Sequence, residues 1–202
     1  NCIGGVNRDI PDSDALLQAV RAIRSGIEKT VVPIFTTNRT ILNRTRGVGI
    51  LTRADAIAYG VVGPIARASD LVIDVRQDFP YAAYSDLGFQ IVTQESCHVL
   101  ARVVVRALEM LESCRLIEKA LSEMPAGPIR LPEPVTTLPP GEAFVRVEAP
   151  RGEVVYYLKS DGSDTPVRVK IRTPSDLNIP AVRAMACGQV LGDMSIIQAS
   201  VD

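Results

Sequence analysis

Apolar positions follow two different periods along this chain. Up to residue 123, outside a loop-like stretch, they recur largely at the three- and four-residue spacing of a helix face; beyond the linker, residues 143–147, 153–158 and 167–171 carry strand-like runs. Asp12-Ser13-Asp14 offers capping residues ahead of Ala15-Leu16-Leu17-Gln18-Ala19-Val20, and Ala22, Ile23 and Ile27 carry the apolar face onward. Gly26 weakens that helix without ending it, and Pro33 opens a second piece, Ile34 to about Leu42. Gly47 and Gly49 break the chain. Thr52-Arg53-Ala54-Asp55 then starts a short helix that Gly60, Gly63 and Pro64 end. From Ile65 to Tyr84 the pattern is loop-like, with an extended piece at Leu71 to Val75.

The strongest element is a helix from about Ser96 to Glu123. Leu100, Val103, Val104, Ala107, Leu111, Cys114, Ile117 and Leu121 form its apolar face, and Arg102, Arg106, Glu109, Glu112, Lys119 and Glu123 much of the other. At that length it spans about 42 Å, which suits a helical bundle. Residues 124–142 read as a linker, with prolines at 125, 128, 132, 134, 139 and 140. Beyond it, residues 143–147, 153–158 and 167–171 read as strands, with Asp161-Gly162 in the connection between the last two. Ser175-Asp176 is a cap for a final helix, Leu177 to about Val190, stopped near Gly192. The predicted class is α+β: a mostly α helical bundle over 1–123, the linker, then a small antiparallel β-meander with a closing helix over 143–202, together one structural unit.

Composition narrows the function classes. The chain has 202 residues, 47% of them apolar and 4% aromatic, with 22 Lys+Arg against 23 Asp+Glu. A balanced charge with few aromatics removes the case for nucleic acid as partner. No stretch approaches the roughly 20 apolar residues that span a bilayer, so the chain is not itself membrane-spanning. Asn1-Cys2-Ile3-Gly4-Gly5-Val6 lacks the zones of a signal peptide. That start, and the close on Ile196-Ile197-Gln198-Ala199-Ser200-Val201-Asp202, give the expectation of a fragment of a longer protein. Cys2, Cys97, Cys114 and Cys187 form no C-x-x-C pair. Cys97 and Cys114, on one predicted helix and roughly 25 Å apart along its axis, cannot bridge, so a reducing cytoplasm is the simpler compartment. The sequons at Asn38 and Asn43 are read as chance.

The usual catalytic inventory is poor. His98, the only histidine, adjoins Cys97, but neighbouring helical side chains point roughly 100° apart, which disfavours a dyad. One His and scattered Cys do not make a zinc site, and no phosphate-binding glycine loop is present. Three segments stand out. In Glu148-Ala149-Pro150-Arg151-Gly152-Glu153 a Pro and a Gly interrupt the meander and put Arg151 at a forced turn; a solvated surface turn is the plainer reading. Arg172-Thr173-Pro174-Ser175-Asp176-Leu177-Asn178 clusters hydroxyl and amide donors, although a helix N-cap explains Ser175 equally well. Gly63-Pro64-Ile65-Ala66-Arg67-Ala68-Ser69-Asp70 reads as a structural turn.

Taken in order, Ile3-Gly4-Gly5-Val6, Arg46-Gly47-Val48-Gly49, Gly63-Pro64-Ile65-Ala66-Arg67-Ala68-Ser69, Asp74-Val75-Arg76, Pro80-Tyr81, Glu148-Ala149-Pro150-Arg151-Gly152-Glu153 and Val169-Lys170-Ile171-Arg172 resemble one family. It is the large subunit shared by membrane-bound, energy-converting nickel–iron hydrogenases and respiratory complex I. The resemblance covers essentially the whole chain. It implies a helical core with a small sheet, and in the hydrogenase branch a nickel–iron centre held by two C-x-x-C pairs. Neither pair is present here, so no metal ligand and no cofactor is expected in this chain, and the NiFe centre is assigned to the full-length parent.

By the same resemblance Arg151 is the catalytic candidate, its guanidinium pointing at the metals to assist H₂ heterolysis or anchor cyanide ligands. Pro174 and Ser175 are the cofactor-binding candidates, hydrogen-bonding a diatomic ligand on iron. His98 stands where an Asp is expected. The implied partners are an iron–sulfur small subunit and membrane subunits, with the chain peripheral on the cytoplasmic face and the fragment prone to self-association. The rival is the nickel-free complex I branch, NADH-quinone oxidoreductase, which implies quinone and NAD chemistry. Pro174-Ser175 and Asn178 read as hydrogenase-like, whereas complex I relatives tend to carry Pro-Gly. A third reading is a non-catalytic scaffold.

Overall fold

The structure, a computed structural model, describes residues 5–6, 8–130 and 137–201. Cys2, the first residues of the Ile3-Gly4-Gly5-Val6 motif, Pro132 and Pro134 of the linker, and Asp202 lie outside the described residues.

The amino-terminal half is helical, as its periodicity predicts. α1 (Ser13–Gly26) is capped by Asp12, whose carboxylate accepts the Ala15 N–H at 2.8 Å. Gly26 does not end the helix. The chain widens into a π-turn over Ile27–Val31 and continues as α2 (Val32–Thr37), which carries Pro33 in its first turn. Pro33 has no N–H and a ring that crowds the turn before it, and the looser winding leaves room for both. The second piece is shorter than expected, because Asn38 leaves the helical conformation and caps a separate helix, α3 (Arg39–Thr45). α4 (Arg53–Tyr59) is capped by Thr52 and closed by Gly60 at φ +64°.

Ile65 to Tyr84, read as loop with an extended piece, fall with their immediate flanks in three single-turn helices and their connections: α5 (Pro64–Arg67), α6 (Val75–Asp78) and α7 (Tyr84–Leu87). Leu71 to Asp74 pairs with no strand among the described residues, and Val75 begins α6. Elements this short carry too few positions for periodicity to reveal them. α5 is buried throughout.

The long helix is α8 (Val99–Ser122), capped by His98, whose Nδ1 accepts the Ala101 N–H at 3.3 Å. Its start is later than expected, so Cys97 is off the helix, at φ +60°, and the 17-residue separation along one axis does not apply. Two positions of its predicted faces are exchanged. Ile117 is 44% exposed, whereas Arg102, placed on the polar face, is fully buried. Arg102 donates to the Ser200 hydroxyl at 2.9 Å and to the carbonyls of Gly49 and Cys97 at 2.8 and 3.3 Å. Burial, with Arg106 nearby, pulls its pKa down to about 10.

The sheet is the expected meander, β1 (Gly141–Ala149), β2 (Gly152–Ser160) and β3 (Arg168–Arg172), in the order β1-β2-β3 and antiparallel throughout. The closing helix is not one element. α9 (Pro174–Asn178) runs through a 3₁₀ turn into α10 (Val182–Ala186), which stops at Cys187. A further helix, α11 (Met194–Ala199), follows where a stop was expected. The main core joins both halves: Leu51, Val61, Ile65 and Val99 pack with Ala181, Met185 and Ile197. A second cluster, Val20, Ile27 and Cys114, seals α1 and the π-turn on α8.

Candidate functional site

The Glu148–Glu153 segment does not interrupt the sheet. β1 and β2 stay paired to the ends, Glu148 with Glu153 and Ala149 with Gly152, and Pro150-Arg151 is the two-residue hairpin connection. The proline and glycine that looked like ladder breakers leave the ladder intact, since Pro150 lies in the connection and Gly152 forms the last pair, with Ala149.

That turn is wedged against the loop before α5. Gly63 sits at φ +72°, and a Cβ there would lie 2.4 Å from both the Arg151 carbonyl oxygen and the Gly152 Cα. The reciprocal Cβ on Gly152 would lie 2.8 Å from Gly63 N. Both glycines are therefore required by the approach of two backbones. Asn178, fully buried at the end of α9, ties the two together. Its Oδ1 accepts the Val62 N–H at 3.0 Å, and its Nδ2 donates to the carbonyls of Val62 at 3.3 Å and Arg151 at 3.1 Å.

The three sequence-predicted residues fall around this clamp. Arg151 is exposed at the turn with its main chain fixed. Pro174 is buried in the first turn of α9, and Ser175, half-buried, stands three positions before Asn178. Ser175 is not the N-cap: Thr173 takes that place, its N–H donating to Asp176 Oδ2 at 3.0 Å. Ser175 instead lines a cavity of about 630 Å³ with Ile179, Val182, Ser195, Gln198 and Val201; Arg151 is not among the residues lining it. Asn178 thus links the Arg151 turn and α9 through backbone.

Behind the turn lies an ionic cluster that reading along the chain missed. Arg67, 1% exposed, pairs with Asp74 at 2.8 Å, Glu109 at 2.5 Å and Glu148 at 3.1 Å. Arg76 grips Asp74 through two bonds of 2.9 and 2.7 Å. Tyr81 accepts the Glu148 N–H at 3.1 Å. Burial pushes the Glu148 carboxyl up to about 7, outweighing the pull of Arg67. Each member except Glu109 lies within one of the family-like motifs, and the available signal was charge placed inside otherwise apolar segments. Arg67 is structural, as expected of its turn, but acts through ion pairs to nearby Asp74 and to the distant Glu109 and Glu148.

No group of three or more His, Cys, Asp or Glu among the described residues is arranged to hold a metal ion. Cys97 is half-buried before α8, Cys114 buried on α8 and Cys187 exposed just after α10. The described residues therefore do not fit a nickel–iron centre, whose soft metals call for grouped thiolates.

The family model described as respiratory-chain NADH dehydrogenase, 49 Kd subunit, matches residues 1–140 and 133–202. The chain belongs to this family. It is 40% identical over 99% of its length to a carbon monoxide-induced hydrogenase of Rhodospirillum rubrum, covering 56% of that protein. A subunit of the F(420)H(2) dehydrogenase of Methanosarcina mazei is 38% identical over 98% of this chain and 55% of its own length. A subunit of the NADH-quinone oxidoreductase of Geotalea uraniireducens is 34% identical over 99% and 58%. Among solved structures, a chain of the membrane-bound sulfane sulfur reductase, an archaeal respiratory membrane complex, matches with a TM-score of 0.88 at 34% identity, over 98% of this chain and 56% of that one. This 49 Kd-type chain thus spans a little over half the length of these relatives. The family and the α+β class are as the motifs implied.

Proposed function

We propose that this chain is part of the large subunit of a membrane-associated hydrogenase, an oxidoreductase that couples H₂ oxidation or proton reduction to an iron–sulfur electron relay. Its partners are an iron–sulfur small subunit and membrane subunits. No helix among the described residues is long and apolar enough to cross a membrane, which accords with a peripheral place, on the cytoplasmic face in this reading. The observation that carries the proposal is the Arg151 turn. Its main chain is held by Asn178 and by the Gly63–Gly152 contact, so a planar guanidinium starts from a fixed base. The described residues supply no donor set for nickel and iron, and the part assigned to them is the protein surround: Arg151 as a directed cation, and Pro174 and Ser175, in the first turn of α9, as the cofactor-binding candidates.

The test is Arg151→Lys in the full-length parent, assayed for H₂ uptake with metal content measured alongside. An ammonium reproduces the charge but not the fork of donors. By analogy with the loss of one transition-state donor, turnover falls about 10²–10³-fold while metal content and folding hold. Wild-type turnover in the variant refutes the role of Arg151. Ser175→Ala, which removes one neutral hydrogen bond, costs less.

A second reading is favoured by the NADH-quinone oxidoreductase and F(420)H(2) dehydrogenase relatives: a nickel-free NADH-quinone oxidoreductase large subunit bordering a quinone site. The unmutated parent separates the two, since only the hydrogenase consumes H₂. A parent with neither activity would leave the scaffold role.

A further inference from the structure

Glu148 stands apart from the other buried ionisable groups because open space reaches it from two cavities. Its side chain is 6% exposed. One cavity, of about 190 Å³, is bounded by Gly63, Asp74, Asp78, Arg146 and Glu153 as well as Glu148. The other, of about 480 Å³, is bounded by Arg76, Arg106, Glu109, Ser113 and Pro150 together with the same carboxyl. Both border the Arg151 turn, the first through Gly63 and the second through Pro150. The first is about equally polar and apolar; the second is mostly apolar, with Arg76, Arg106, Glu109 and Ser113 as its polar edge, and each exceeds the roughly 30 Å³ that one water occupies in the liquid.

We propose that Glu148 is a proton-relay residue joining these two cavities, serving the proton traffic of the reaction at the Arg151 turn. The idea rests on the oxidoreductase reading above, in either branch, because H₂ heterolysis and quinone reduction both move protons. The step is balanced and involves no electron. The neutral carboxyl gives its proton to water in one cavity, leaving a carboxylate against Arg67. It then takes a proton from water in the other cavity and is neutral again.

The charges around it fit that cycle. Facing the cluster are Arg67 from α5, Asp74 from the segment before α6, and Arg76 and Asp78 from α6. Arg106 and Glu109 face it from α8, Arg146 from β1 and Glu153 from β2, while the Tyr81 hydroxyl holds the Glu148 N–H. Joined by ion pairs are two guanidiniums, Arg67 and Arg76, and three carboxylates, Asp74, Glu109 and Glu148. One carboxylate is in excess, so a single proton balances the cluster. With burial raising the Glu148 carboxyl to about 7, both of its forms are populated at neutral pH, as a relay requires.

The experiment compares wild type, Glu148→Gln and Glu148→Asp in the full-length subunit within its complex. Infrared difference spectra across a pH titration report the carboxyl, and steady-state turnover is measured over the same range. The expected result is a carboxyl band titrating near neutrality and absent from Glu148→Gln. Turnover of that variant falls about 10²-fold with one limb of the pH profile removed, and Glu148→Asp recovers most of the rate. A merely structural glutamate would leave the rate and the limb in place in Glu148→Gln, even though its band is lost. Absence of a carboxyl titrating near neutrality in the wild type overturns the proposal, as does a Glu148→Gln enzyme with wild-type rate and profile. If Glu148→Gln does not assemble, the wild-type titration and Glu148→Asp decide. Failure of the oxidoreductase reading shows separately, as an unmutated complex without turnover, and the infrared titration then decides the relay alone.

Discussion

Replacing Asn178 by alanine removes three hydrogen bonds at once from the contact between the two halves of the chain. The Val62 N–H, bonded at 3.0 Å, loses its acceptor, and the carbonyls of Val62 and Arg151 each lose a donor. A buried donor left unpaired costs about 1–3 kcal/mol, whereas each carbonyl forfeits only the net worth of one bond, about 0.5–1.5 kcal/mol. The terms share one side chain and are not additive, so the expected loss is about 2–4 kcal/mol. For a chain of this size that lowers Tm by roughly 5–15 °C. Urea unfolding reads the loss as a lower midpoint at unchanged slope, and hydrogen exchange reads it locally, as faster exchange of the Val62 amide. Asn178→Asp keeps the acceptor but turns a carboxylate toward two carbonyl oxygens, so it is worse than alanine near neutrality and recovers as the pH falls. A change below about 0.5 kcal/mol with Val62 still protected would refute the clamp.

Arg67→Met leaves three mostly buried carboxylates without their shared partner. Breaking such a cluster costs about 3–5 kcal/mol, and the loss shrinks in acid, where the carboxylates are protonated; an equal loss at both ends of a denaturation series over pH would contradict it. Gly63→Ala places a Cβ 2.4 Å from the Arg151 carbonyl oxygen at a left-handed φ, so it costs more than the roughly 1–3 kcal/mol of ordinary overpacking and a variant with wild-type urea midpoint would be contrary to this packing. The pH dependence follows from Glu148, whose carboxyl is raised to about 7 in the fold. Between the unfolded value near 4.3 and that pKa the folded state holds the extra proton, so this group's contribution falls as pH rises and levels off above 7. The drop is on the order of 3 kcal/mol, and Glu148→Gln removes that slope from stability measured against pH.

Long elements were legible in the sequence and short ones were not. α8 and the three strands carry enough turns or alternations for periodicity to find them to within a few residues. α5, α6 and α7 have four residues each, less than one repeat of a helical face plus its caps. Arg102 shows the other limit. A charged residue at a polar-face position reads as solvated, and only the arrival of Gly49 and Ser200 from distant segments shows that neutral oxygens enclose it. The same holds for Asn178: its place after Pro174-Ser175 is visible along the chain, but its grip on Val62 and Arg151 is not.

The candidate site depends on joining segments distant in the chain, and polar groups do much of that joining. Asn178 spans 116 residues to Val62, Arg67 reaches 81 residues to Glu148, and Arg102 reaches 98 to Ser200. The buried Arg67–Glu148 ion pair adds little to stability compared with apolar packing of the same volume, because desolvation cancels most of its attraction. The effect of these polar contacts is directional. Apolar contact between Val61, Ile65, Ala181 and Met185 brings the halves together but permits sliding. A bond donated to the Arg151 carbonyl fixes where the turn sits, and an ion pair to Glu148 fixes the strand that leads into it. Gly63 and Gly152 then allow the two backbones to meet without side chains between them. An exposed arginine on a turn held in that way differs physically from one on a free hairpin: its point of attachment cannot wander.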